Sequence, residues 1–292
     1  MRHWLAHLRL PFNALLTPIY LWGVWLAPYP PEAWRVALGW LALHVFLYGG
    51  TTAFNSYYDR DEGPIGGVRH PRPVDAGLLR FSLVVQALGL PLAWLVSPAF
   101  ALTYLLLFAL AGAYSHPRTR WKADPRAALA VVALGQGGVG SAAGVWAAAG
   151  PGADVLALAQ SAALWWGAAV AAAIVVGQYL VSQAYQVDED RRRGDVTLPV
   201  AIGPRAALRW GLVPSALGFG ALLWGVTALA GLAWAAVGVA LGLALAWGQW
   251  RWSAWVGERG VDADFVAAMR LVVSGGVGLS AYLLALLLVA PR

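Results

Sequence analysis

The stretch VALGWLALHVFLYGGTTAFNSYY, Val36 to Tyr58, has no Asp, Glu, Lys or Arg and runs straight into Asp59-Arg60-Asp61-Glu62. An α-helix rises about 1.5 Å per residue, so the run is long enough for the roughly 30 Å of hydrocarbon in a bilayer. The carboxylates then begin where such a helix meets water. Six further charge-free runs follow the same pattern: Leu10 to Pro31, Phe81 to Ser115, Ala127 to Ala153, Val155 to Val187, Trp210 to Trp250 and Leu271 to Pro291. Charged residues make up 12% of the 292, against roughly 25% in soluble domains. The fold class is therefore all-α, a polytopic membrane protein.

Two runs are too long for one crossing. Phe81 to Ser115 divides near Ser97-Pro98, and Trp210 to Trp250 near Ala230-Gly231. Nine transmembrane helices result, approximately 11–28, 35–58, 78–96, 99–115, 127–149, 156–186, 206–226, 232–250 and 268–290. With nine alternating spans, 18 cations share the side of the N-terminus: Arg2, Arg9, Arg60, Arg69, Arg72, Arg80, Arg118, Arg120, Lys122, Arg126, Arg191, Arg192, Arg193, Arg205, Arg209, Arg251, Arg259 and Arg270. Only Arg35 and Arg292 face the other way. The positive-inside rule puts the N-terminus in the cytoplasm and both acidic clusters on the cytoplasmic face.

The net charge of +6 is spread over short loops beside anionic headgroups, so it calls for membrane lipids and no nucleic acid. The chain has no cysteine, which excludes disulfides, thiol catalysis and cysteine-bound metals. Met1-Arg-His-Trp-Leu-Ala-His-Leu-Arg-Leu lacks a small-residue cleavage site and reads as a short interfacial helix. Pro, Gly and charge recur only at helix connections, so residues 1–292 form a single transmembrane domain.

The second acidic cluster is Gln186-Val187-Asp188-Glu189-Asp190, with Asp195 just beyond. Asn55/Asp59 and Gln186/Asp190 each place an amide and a carboxylate at i, i+4, on one helical face. Mg²⁺ is held by one or two carboxylates plus phosphate oxygens, so two facing clusters fit a shared metal–diphosphate site. An allylic diphosphate ionises when the charge growing on its leaving group is neutralised, by Mg²⁺ and by Arg or Lys donors. Arg69, Arg72, Arg118, Arg120 and Lys122 are the cations within reach of such a group.

The stretch from Asn55 through Arg72-Pro73, and that from Tyr185 through Asp190, Gly194 and Thr197-Leu198-Pro199-Val200, resemble the two aspartate-rich motifs of UbiA-type intramembrane prenyltransferases. Ala113-Tyr114-Ser115-His116-Pro117-Arg118 through Lys122 is similar to that family's basic loop after the fourth helix. The resemblance implies nine helices around a central cavity open toward lipid, with polar caps over the cytoplasmic mouth. It implies Mg²⁺-dependent transfer of a prenyl group from an isoprenyl diphosphate to a lipophilic or aromatic acceptor.

Carried over by motif position, Asp59 and Asp190 are the catalytic carboxylates. The metal set is Asn55, Asp59 and Asp190 by motif position, with Asp61 or Glu62 substituting for a later aspartate and Asp188 compensating for a missing carboxylate. Asn55, Arg69, Arg72, Arg118, Lys122, Gln186 and Tyr185 bind the diphosphate or the acceptor. The chain departs from the family pattern at Ser56, Gly63 and Gln186, where the family carries aspartate.

Other readings of the same residues compete. Asp59 beside Arg60 and Asp190 beside Arg191 also describe exposed ion pairs worth ~0–1 kcal/mol. Arg191-Arg192-Arg193 reads as a headgroup-facing topology signal. His44 reads as a packed histidine, Asn13 as a cap of the first helix, and most of the 17 tryptophans as interface belts or packing. Gln178, Gln183 and Gln186 either bond between helices or line a wet cavity. Tyr57, Tyr58, Tyr179 and Tyr185 are the aromatic residues nearest the site, where a ring face can stabilise an allylic cation by roughly 0.5–2 kcal/mol. Two alternatives to prenyl transfer are an intramembrane terpene cyclase, which needs no acceptor, and a carrier for a small anion or lipid.

Overall fold

A computed structural model describes residues 2–290, with the side chain of Arg2 left aside. Arg292, one of the two cations assigned to the far face, lies outside the described residues, as do Met1 and Pro291. Among the described residues the chain is helical, with a single isolated bridge between Ile65 and Val68. Eight helices are long and apolar enough to cross a membrane. They are α2 (Ala33–Asp59), α3 (Gly77–Val96), α4 (Pro98–Ser115), α5 (Pro125–Ala149), α6 (Ala162–Gln183), α7 (Pro204–Ala230), α8 (Leu232–Ser253) and α9 (Val261–Val289).

The first expected span, α1, is helical over residues 10–26 but is not one of these eight. It is built from a turn at Leu10–Asn13, a 3₁₀ turn at Ala14–Leu16 and a helix at Thr17–Leu26. At about 1.5 Å per residue it is roughly 25 Å long. Its Tyr20, Leu21, Trp22, Val24 and Trp25 are buried in the bundle. Asn13 does not cap it: the amide donates to the Leu8 carbonyl at 2.7 Å. The N-terminal helix Arg2–His7 packs Trp4 against Phe81, and the Trp4 indole N–H donates to Asp75.

The two predicted breaks are where the structure turns. Ser97 caps α4 by accepting from the Phe100 N–H, the usual role of serine ahead of a helix. Gly231 joins α7 to α8 at φ +93°, a backbone conformation that a side chain disfavours. Two boundaries differ from expectation. The span placed at 156–186 is cut at Ser161 into Val155–Gln160 and α6, and it stops at Gln183. The last helix starts at Val261, seven residues early, with Asp262 and Asp264 in its first turn, where the helix dipole favours negative charge.

Small residues let the interior close. A Cβ on Gly23 would strike the Ser141 carbonyl of α5, and one on Gly144 would strike the Tyr20 carbonyl of α1. These two backbones therefore touch, as membrane helices do where glycines face each other. Two π-helical stretches interrupt the spans, Ala42–Leu47 in α2 and Val132–Val139 in α5. The second carries Gly135 and Gln136 to a central cavity. His44, in the first, is buried and stacked on Trp40 with centroids 4.9 Å apart, which is the packed role expected of it. Large apolar side chains such as Leu102, Leu217, Leu232 and Leu288 stay exposed on the outside of the spans, the surface a lipid-embedded bundle presents. The chain is an integral, multi-pass membrane protein.

Candidate active site

The first motif is the last turn of α2. Asn55 and Asp59 share one face there, and the helix stops because Arg60 turns left-handed at φ +50°, its N–H bonding to the Ser56 carbonyl. That turn sends Asp61 back over the helix end. The second motif is not the end of a spanning helix. After Gln183 the chain bends and starts a separate helix, Val187–Arg193, which Gly194 closes at φ +77°. Asp190 and Arg193, at i, i+3, lie on its inner face, and the Asp195 N–H bonds to the Asp190 carbonyl.

Both motifs reach one polar cavity of about 150 Å³, lined by Asn55, Asp59, Asp61, Lys122, Tyr185, Gln186, Asp190 and Thr197, among others. A larger, mostly apolar cavity of about 320 Å³ lies against it and shares Arg9, Phe12, Asn55, Tyr114 and Ser182 with it. The apolar chamber runs between the helices to Trp22, Val170, Phe219, Leu222 and Leu283. Its upper wall includes a Tyr114–Tyr179 hydroxyl pair at 2.9 Å.

The carboxylates in the polar cavity are paired. The Lys122 ammonium meets Asp59, and Arg193 meets Asp61 and, at 2.8 Å, Asp190. Thr197 donates to the other Asp190 oxygen at 3.0 Å. Arg120 holds Asp195 through two hydrogen bonds of 2.8 and 2.9 Å. Burial pushes the Asp61 carboxyl up from its ordinary pKa, the Asp59 charge adds to this, and Arg193 opposes it. Burial likewise raises Asp190 against the pull of Arg193 and Thr197. Arg9 donates to the Ser56 hydroxyl at 2.7 Å, its Nε has no hydrogen-bond partner among the described residues, and desolvation lowers its pKa.

Seven of the sequence-derived site residues converge: Asn55, Asp59, Asp61, Asp190, Lys122, Gln186 and Tyr185. Five lie elsewhere. Glu62 is exposed, its backbone N–H bonded to Glu189. Asp188, 85% exposed, pairs with Arg191. Arg69 turns to Asp262 on α9, and Arg72 and Arg118 are exposed outside both cavities. Of the four tyrosines, Tyr179 and Tyr185 line cavity walls, while Tyr57 and Tyr58 do not.

Sequence reading missed Arg193, which is turned inward while Arg191 and Arg192 are exposed. The signal was its i, i+3 spacing from Asp190. It also missed Arg9, whose signal was a lone cation just before the first apolar run.

The profile of the UbiA prenyltransferase family matches residues 16–268. The chain belongs to that family. A protoheme IX farnesyltransferase of Aeropyrum pernix is 40% identical over 67 residues, 23% of this chain and 22% of that protein. The alignment thus spans about a fifth of that relative. The fold of a UbiA homologue from Archaeoglobus fulgidus, solved with DMAPP and Mg²⁺, matches with TM-score 0.66 at 18% identity, covering 95% of this chain and 99% of that one. An apo UbiA homologue from Aeropyrum pernix matches with TM-score 0.65 at 22% identity, over 91% and 96% of the two chains.

For a UbiA-family site, the question is whether these residues suit a divalent ion. Asn55, Asp59, Asp61 and Asp190 present only oxygen donors, the chemistry a hard cation prefers. Among the described residues no three acidic or histidine side chains converge as a cage. Mg²⁺ needs no such cage when phosphate oxygens and water complete its shell, so the donor set fits an ion shared with a diphosphate.

Proposed function

We propose that this chain transfers a prenyl group from an isoprenyl diphosphate to a lipophilic or aromatic acceptor inside the membrane. One observation carries the reading: Asp59 from the end of α2 and Asp190 from the helix 187–193 line one polar cavity that opens onto an apolar chamber. A diphosphate head and a hydrocarbon tail need that pairing. In this reading Asn55, Asp59 and Asp190 hold Mg²⁺, which when bound supplies neutralisation of the charge that grows on the departing diphosphate.

The chain's own groups do the remaining work. Lys122 and Arg9 lie where the phosphate oxygens enter, and a charged hydrogen bond to such oxygens is stronger than a neutral one. The allylic C–O bond breaks with both electrons leaving on the diphosphate. The cation then sits among apolar walls and the faces of Tyr114 and Tyr179, where water is scarce. The acceptor's nucleophile attacks it, and the proton it gives up passes to the released diphosphate.

The depth of the chamber speaks to the donor. On α6 the lining runs from Ser182 to Val170, twelve residues and about 18 Å of helix. An extended isoprene unit adds four carbon–carbon bonds and about 4–5 Å, so about four units fill the chamber above Trp22. The cation-rich helix ends surround the polar cavity, whereas Arg35 lies at the opposite end, donating to the Val96 carbonyl. That distribution supports a cytoplasmic N-terminus and a site at the cytoplasmic side of the inner membrane.

The test is diphosphate release by purified protein given donors of two to six isoprene units with Mg²⁺ and a membrane lipid extract. Release should peak at about four units and need the extract. Release without any acceptor would point to cyclisation, and no release with any donor would refute the reading.

A further inference from the structure

The cations around the polar cavity match its carboxylates one for one. Asp59, Asp61, Asp190 and Asp195 line it, and Lys122, Arg193, Arg120 and Arg9 face them or the cavity directly. Arg193 holds the central place. It joins Asp61 of the first motif to Asp190 of the second, with Asp195 Oδ2 at 3.6 Å and Glu189 Oε1 at 3.9 Å. Its side chain is 19% exposed, and its Nε is the atom 3.6 Å from Asp195. A positive group fixed between carboxylates from two separate helix ends stands where a bridging divalent ion would otherwise be needed to hold them together.

We propose that Arg193 is a built-in cation of the diphosphate subsite, doing the work of a second divalent ion, so that the chain binds a prenyl diphosphate together with a single Mg²⁺ or Mn²⁺. The proposal rests on the prenyl-diphosphate reading above. A guanidinium keeps its charge at any working pH and offers a planar fork of N–H donors suited to phosphate oxygens. Asp61 and Asp190 hold that fork at the meeting point of the two motifs, with its Nε toward Asp195, so Arg193 acts on a diphosphate in the cavity through its fixed charge. The amide at Gln186, in place of a carboxylate, keeps the local charge near balance.

The experiment counts bound ions directly. Protein in detergent micelles is titrated with Mn²⁺ in the presence of geranylgeranyl thiolodiphosphate, whose bridging sulfur resists ionisation, and free Mn²⁺ is read by electron paramagnetic resonance. One Mn²⁺ per chain is expected for the wild type. Arg193→Gln should bind the analogue about tenfold or more weakly at low Mn²⁺ and take up a second Mn²⁺ as the ion concentration rises, while Arg193→Lys should keep the wild-type count. Two Mn²⁺ per wild-type chain would overturn the proposal and leave the prenyl-diphosphate reading standing. So would an Arg193→Gln protein with one ion and unchanged affinity. If the wild type binds no analogue at any Mn²⁺ concentration, the reading itself fails and the proposal falls with it.

Discussion

Asp59 is 12% exposed against a Lys122 ammonium that is 9% exposed, so this pair differs from a surface ion pair of ~0–1 kcal/mol. Removing one partner leaves the other as a lone buried charge, which costs about 3 kcal/mol or more. Lys122→Met should accordingly lower the thermal unfolding midpoint and weaken donor binding, and an unchanged midpoint would mean the pair is solvated. Arg9→Gln keeps a donor for Ser56 but removes the charge. It should raise the KM for the donor about tenfold with a smaller effect on kcat, as steady-state kinetics would show. Asn55 and Asp59 were legible from i, i+4 spacing, and Lys122 from a basic loop. Arg193 was hidden because three consecutive arginines at a membrane edge describe headgroup contact equally well, and only the helix phase before Gly194 turns one of them inward. Arg69 and Arg118 lie outside both cavities, and loop cations near a motif in sequence have no fixed direction until the loop path is known.

Elements were readable where a residue forces the backbone and unreadable where none does. Ser97-Pro98 and Ala230-Gly231 marked their turns through a cap and a left-handed glycine. The corner at Ser161 and the end of α6 at Gln183 fall inside one uncharged run, where hydropathy gives no boundary. The α1–α5 crossing makes its own prediction. Gly144→Ala places a methyl against the Tyr20 carbonyl and 2.8 Å from the Val24 N–H, and backbone does not yield as a flexible side chain does. The expected cost is about 1–3 kcal/mol, measured by unfolding in detergent. Gly194→Ala meets no atom within 4 Å, so its cost of about 1–2 kcal/mol is backbone strain alone. Trp22, whose indole N–H donates to the Gly167 carbonyl at 3.0 Å, helps floor the chamber. Trp22→Ala should move the preferred donor to longer chains in a competition among prenyl diphosphates, and an unmoved preference would place the floor elsewhere.

At the scale of the whole molecule, charge-free runs made the membrane class readable, because a bilayer constrains composition over tens of residues. What they left open was how helix ends fold back over the bundle, which depends on contacts between distant loops such as Arg120 with Asp195. The absence of cysteine gives a clean background for testing orientation. Gly152→Cys should react with a membrane-impermeant maleimide in intact spheroplasts, and Glu258→Cys only after permeabilisation; the reverse pattern would invert the topology. The convergence of both acidic helix ends over one diphosphate is tested most directly by diphosphate release from geranylgeranyl diphosphate, comparing wild type with Asp59→Asn, Asp190→Asn and the double variant. Each single change should cut kcat/KM by about a hundredfold or more, and the double variant should fall little further, since both carboxylates serve one site. Release that persists at the wild-type rate in both single variants would contradict the account.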